Sequence, residues 1–255
     1  MHDPKEYIAV FDSGLGGISV LRELVKLMPR ERYLYFGDSA NAPYGTRPRE
    51  AVEELTLAAV EKLVKRGIKA LVIACNTATS AAYEAVTAQY PDLIVVGIEP
   101  ALALAAEKFP GGHVGVMATP GTLAGERFLA SKAKYDALLQ ITPLPAPGLM
   151  ELVEAEKQDG PEGEALLRPL LRPYVGKLDA LLLGCTHYPF AQRTMLRILG
   201  PKVAFLDGAV ITARQTREAL EQKGLLHQGP GEVLIENSMP GERMLELSRR
   251  MVGRR

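Results

Sequence analysis

A chain of 255 residues that is 47% hydrophobic can bury one large core or two modest ones. Its 30 basic residues balance 30 acidic ones, so nothing global favours nucleic acid or an anionic membrane as a partner. No apolar run reaches spanning length and no signal-peptide pattern opens the chain, so a soluble, cytoplasmic protein is expected. Two cysteines are too few for a structural zinc site, and in such a chain they are expected as free thiols.

Taken in order, short apolar runs alternate with helical periodicity. Tyr7 to Phe11 predicts a buried strand, followed by a Gly-rich turn and an amphipathic helix from Ile18 to Leu27. Tyr33 to Phe36 is the next strand. A long helix runs from Arg49 to Arg66, with Gly67 placed to end it. Leu71 to Ala74 reads as a strand, Asn76 to Ala88 as a helix and Leu93 to Val96 as a further strand. Near the end come a helix from Ile211 to Lys223, a strand from Glu232 to Ile235 and a helix from Gly241 to Val252. Strands alternating with helices point to parallel α/β sheets covered on both faces.

The pattern occurs twice. Ile8-Ala9-Val10-Phe11 with its small-residue turn resembles Val114-Gly115-Val116-Met117, and Ala70 to Cys75 resembles Ala180 to Cys185. The offsets of 106 and 110 residues fit one duplicated unit with small insertions. Two similar α/β domains are therefore expected, with the site in the cleft between them. Residues 1–97 with 210–255 would form one domain, the closing segment returning to the first sheet, and 98–209 the other; the first junction falls in Gly97-Ile98-Glu99-Pro100.

Four motifs follow apolar runs: Asp12-Ser13-Gly14-Leu15-Gly16-Gly17, Gly37-Asp38-Ser39-Ala40-Asn41-Ala42-Pro43-Tyr44-Gly45, Cys75-Asn76-Thr77-Ala78-Thr79-Ser80 and Cys185-Thr186-His187-Tyr188-Pro189. Ligands of open parallel sheets bind beyond the carboxyl ends of the strands, where these motifs would gather. Asparagine occurs only at Asn41, Asn76 and Asn237, and two of the three lie inside these motifs.

A lone cysteine ending an apolar strand is ordinarily inert core. Two at repeat-equivalent places, each at a strand-to-helix junction and followed by polar residues, point instead to chemistry. Inverting a stereocentre through a carbanion needs one group to remove a proton and another, on the opposite face, to return one. A thiolate and a thiol suit those roles, since a helix N-terminus lowers a thiol pKa. The N–H groups of Asn76-Thr77 and Thr186-His187 would hold carboxylates or developing charge. His187 would tune the neighbouring thiolate or shuttle a proton. Asp12 and Asp38 have a plainer reading as helix caps. The glycine cluster misses the dinucleotide spacing, because its third glycine would fall at Ser19; there is no phosphate-binding Gly-Lys-Ser/Thr loop, and no lysine lies in the four motifs. No cofactor is expected.

The four motifs, in this order and spacing, resemble those of the bacterial glutamate racemases across nearly the whole chain. The resemblance implies cofactor-free interconversion of L- and D-glutamate, with D-glutamate feeding peptidoglycan synthesis. It implies Cys75 and Cys185 as the two acid/base residues, with Cys185 serving L-glutamate and Cys75 serving D-glutamate. Asp12, Ser13, Tyr44, Gly45, Asn76, Thr77, Thr186 and His187 would line the substrate site. Where the family carries an acidic residue in a Pro-Leu-Val-Glu segment, Met150-Glu151-Leu152-Val153-Glu154 stands here, so Glu154 is the matching residue and Glu151 replaces the proline. Gly208 replaces a frequent serine after Asp207. The chain begins almost at its first strand, so activation by a cell-wall precursor is not expected; a homodimer is. On the residues alone an aspartate racemase, a two-lobed carboxylate-binding protein and a disulfide switch remain open.

Overall fold

The computed structural model describes residues 6–98 and 101–253, and the chain divides into two compact units, Met1–Glu99 with Ala209–Arg255, and Pro100–Gly208. Glu99 and Pro100, the second half of the segment in which the sequence places the first junction, lie outside the described residues.

The first unit holds a five-stranded sheet formed by β1 (Tyr7–Asp12), β2 (Arg32–Gly37), β3 (Ala70–Ile73), β4 (Ile94–Gly97) and β9 (Glu232–Asn237). Their order is β4-β3-β1-β2-β9, and every pairing is parallel. Ile8 through Phe11 and all of β3 are fully buried, so both faces of the sheet are covered and the strands read as unbroken apolar runs. Side chains alternate across the pleat. Ala9, Phe11, Leu71 and Ile73 join helices Arg49–Val64 and Asn76–Gln89 in one core cluster. Helix Ile18–Leu27 buries Ile18, Val20, Leu21 and Leu24 as one stripe and packs on helix Ala209–Gln222. Fully burying a Leu, Ile or Phe side chain contributes about 1.5–3 kcal/mol, so the strands and the helices packed on them both add substantially to the unit's stability.

The second unit holds β5 (His113–Ala118), β6 (Gln140–Pro145), β7 (Ala180–Gly184) and β8 (Ala204–Asp207), in the order β6-β5-β7-β8 and again all parallel. Equating β1 to β4 with β5 to β8 makes the two orders identical, with β9 an addition to the first sheet. The register agrees at the level of single residues: Phe11 lies opposite Ile73 as Met117 lies opposite Leu183. Those pairs are related by the same offsets, 106 and 110, that relate the two sequence copies. Pro143 and Pro145 are tolerated because β6 is an edge strand.

One local expectation is corrected. The sequence predicts a helix directly after each cysteine. It begins at Asn76 in the first unit, but after Cys185 the chain makes a 3-10 turn, Tyr188–Ala191, and the α-helix starts at Gln192. Pro189 lacks an N–H and disfavours the α conformation in the residue before it, which accounts for the delay.

Candidate active site

In the first unit, Asp12, Ser13, Cys75, Asn76 and Thr77 come to the carboxyl edge of adjacent strands β1 and β3, and all are buried. Glycine makes the close packing there feasible. A Cβ on Gly17 would lie 2.6 Å from the Cβ of Asp12, and one on Gly37 would lie 2.3 Å from the carbonyl oxygen of Gly14. Cys75 is itself the N-cap of helix Asn76–Gln89, its Sγ accepting from the Ala78 N–H at 3.4 Å. Ser13 Oγ lies 3.3 Å from the same sulfur. When Cys75 is ionised, Ser13 must be the donor, so hydroxyl, amide and helix N-terminus all favour the thiolate. The Nδ2 of Asn76 is buried without a hydrogen-bond partner, a donor beside the thiol at the same helix start.

Asp12 does not cap the helix that follows it, and Asp38 stands at the N-cap of the 3-10 turn Ser39–Asn41 without a side-chain capping bond. Helix Ile18–Leu27 is capped at Gly17 without a side-chain bond, while Asp12 Oδ1 accepts from the Gly14 N–H at 2.9 Å. Asp38 accepts from the Tyr44 hydroxyl at 2.7 Å and from Asn41 Nδ2 at 3.1 and 3.0 Å. Tyr44 is buried, and its ring lies 6.4 Å from that of Phe11. Burial, then the Asp38 carboxylate, then the charges of Cys75 and Asp12 push its phenol far above the ordinary range. Tyr44 is therefore a neutral donor committed to Asp38, with Gly45 next to it at the loop's end. Its clamp by Asp38 could not be read from the sequence, where only the motif placed the two together.

In the second unit, Cys185 and Thr186 follow β7 and are buried. The Sγ of Cys185 lies 3.9 Å from Nδ1 of His187, and His187 Nε2 lies 3.1 Å from Glu154 Oε1. Glu154 ends helix Leu149–Glu154, and the start of that segment is tied down by the Tyr188 hydroxyl, which donates to the Ala146 carbonyl at 2.9 Å. Burial first, then the nearby Cys185 and Glu151, hold the Tyr188 phenol well above its usual pKa. An ionised Glu154 accepts a hydrogen bond from Nε2–H, which turns the Nδ1 lone pair of a neutral His187 toward the Cys185 sulfur, while an imidazolium would present Nδ1–H to it. The two thiols thus sit at equivalent strand ends with different support: a helix N-terminus and a serine for Cys75, a histidine–carboxylate pair for Cys185.

Among the described residues, no group of three or more His, Cys, Asp or Glu could hold a metal ion, and no helix is long and apolar enough to cross a membrane. Residues 8–216 match the family model described as Asp/Glu/Hydantoin racemase. The chain is 43% identical over 248 residues to a glutamate racemase of Clostridium perfringens, covering 96% of this chain and 95% of that one. Its fold matches a crystal structure of Thermus thermophilus glutamate racemase in complex with β-chloro-D-alanine, with a TM-score of 0.82 and 37% identity, covering 98% of this chain and 94% of that one. An Escherichia coli glutamate racemase in complex with L-glutamate and the activator UDP-MurNAc-Ala matches with a TM-score of 0.83 and 31% identity, over 97% and 96% of the two chains.

Proposed function

Because the chain belongs to the Asp/Glu/Hydantoin racemase family, and within it to the glutamate racemases, we propose that it interconverts L- and D-glutamate by a two-thiol mechanism. The observation that carries the mechanism is the placement of Cys75 and Cys185 at corresponding ends of β3 and β7, the same strand of a duplicated unit. In this reading the two half-sites act on one glutamate. A thiolate removes the α-proton, the electron pair stays on the α-carbon and its carboxylate, and the thiol on the opposite face delivers a different proton. Nothing is oxidised or reduced, and no cofactor is required. The product leaves the thiols with their protonation states exchanged, ready for the reverse direction.

Supporting roles follow from the contacts. Ser13 and the helix N-terminus at Asn76 stabilise the Cys75 thiolate. His187, backed by Glu154, stabilises that of Cys185. Asp12 brings a carboxylate toward the substrate ammonium. Tyr44, Gly45, Asn76, Thr77 and Thr186 supply the remaining polar surface for the substrate, and D-glutamate for peptidoglycan synthesis is the product that gives the reaction its use.

Racemisation of L-Glu and L-Asp followed by circular dichroism tests the substrate; faster turnover of aspartate would overturn it. In deuterated water, the newly formed enantiomer should carry α-deuterium early while the starting one stays largely unlabelled. Cys75→Ala and Cys185→Ala should each abolish racemisation. Each should still eliminate a β-leaving group from one enantiomer of a suitable analogue, with opposite choices in the two variants. If both variants kept the same enantiomer, the two-faced mechanism would be wrong.

A further inference from the structure

Strand β9 has no counterpart in the second unit's sheet, and its end meets the loop that carries Tyr44 and Gly45. In the parallel register Asn237 lies opposite Gly37, the residue that opens this loop. Asn237 Nδ2 donates to Ser39 Oγ at 2.8 Å, and its Oδ1 accepts from the Met239 N–H at 2.9 Å. Ser238 donates its N–H to the Gly37 carbonyl at 2.9 Å, and its Oγ accepts from the Ala40 N–H at 3.0 Å. A Cβ on Gly37 would come within 2.9 Å of Asn237 Nδ2, so glycine there is what admits the amide. The contacts continue inward, since Asp38, between Gly37 and Ser39, holds the Tyr44 hydroxyl. In the second unit the loop after the corresponding strand β6 is pinned differently, by Tyr188 on Ala146.

We infer that Asn237 and Ser238 are positioning residues for substrate binding, with β9 added to the duplicated unit to hold the Gly37–Gly45 loop in its binding shape. This rests on the reading that Tyr44 and Gly45 line the glutamate site. The side chain of Asn237 bonds Ser39 and the Met239 N–H and neither cysteine, so its influence falls on substrate affinity rather than on proton transfer.

Steady-state kinetics and melting temperatures of Asn237→Ala, Ser238→Ala and Tyr44→Phe test it. In Asn237→Ala, KM for glutamate should rise about five-fold or more, as expected for losing a well-placed hydrogen bond, with kcat within about two-fold of native. Ser238→Ala should shift KM in the same direction. Asn237→Asp, which still accepts from the Met239 N–H and can accept a hydrogen bond from the Ser39 hydroxyl in place of donating to it, should restore KM toward native. An unchanged KM in Asn237→Ala, or a lower kcat and melting temperature with KM native, would overturn the inference; if that variant does not fold, Ser238→Ala decides by the same criterion. Tyr44→Phe separates the two ideas. Tyr44→Phe removes the hydroxyl that Asp38 holds, so a native KM there means that the clamped shape of this loop does not set substrate affinity, and the underlying reading fails with the inference. A raised KM there with native values in both β9 variants overturns the inference alone.

Discussion

His187 stands between Glu154 and Cys185, its Nε2 3.1 Å from the carboxylate and its Nδ1 3.9 Å from the sulfur. A neutral imidazole held this way presents Nδ1 to the thiol, and a protonated one is stabilised from behind. His187→Asn should lower kcat ~10²–10⁴-fold, the usual worth of a positioned acid or base. Glu154→Gln keeps a hydrogen-bonding oxygen but not the charge, so its loss should be smaller and in the same direction. Asp12→Asn should also act through turnover, because its oxygen can still accept from Gly14. Thermal unfolding checks the assignment: sharply lower melting temperatures would give these groups structural roles, and a native rate in Glu154→Gln would move attention to Glu151.

Ser13→Ala removes one donor from the Cys75 sulfur. Donation to the thiolate favours the charged form, so its loss raises the thiol pKa. The ascending limb of the pH–rate profile for the D-to-L direction should move to higher pH, with activity lost near neutrality and partly regained in alkaline buffer. A uniform loss at every pH would show that Ser13 does not tune the thiol.

Tyr33, Tyr44 and Tyr188 all have phenols raised above their ordinary value, with burial the first cause in each. A raised folded pKa means that the native state holds these protons more tightly than the unfolded chain. Their contribution to stability is therefore complete below about pH 10, the unfolded value, and is lost as pH rises above it. Absorbance titration should find at least these three of the nine tyrosines silent until the alkaline unfolding transition. Nine phenols titrating together near pH 10 in folded protein would contradict the burial argument.

Lys69 and Glu31 form a buried ion pair at 2.6 Å, with side chains only 6% and 2% exposed. Glu31 also accepts from the His227 N–H at 2.7 Å, tying the 225–228 segment to the opposite end of the sheet from the cysteines. Lys69→Met strands a buried carboxylate and should cost about 3–5 kcal/mol, whereas Lys69→Met with Glu31→Gln should recover much of it. Denaturant unfolding measures both, and equal destabilisation of the single and double variants would show that the pair is not coupled.

From the sequence alone, the elements and the chemistry at their ends were legible. Central strands buried on both faces require unbroken apolar runs, so β1, β3 and β7 announce themselves, and duplication gives Cys75 and Cys185 their equivalence before any coordinates. Periodicity reports which faces are buried, but it carries nothing about which distant polar groups meet. Ser13 reaches Cys75 across 62 residues, Glu154 reaches His187 across 33, and Asn237 reaches Ser39 across 198. Those pairings depend on loop paths and on which strands lie side by side, and each needs an alignment within a few tenths of an ångström. Only tertiary packing decides that, and it is what gives two equivalent thiols two different sets of partners.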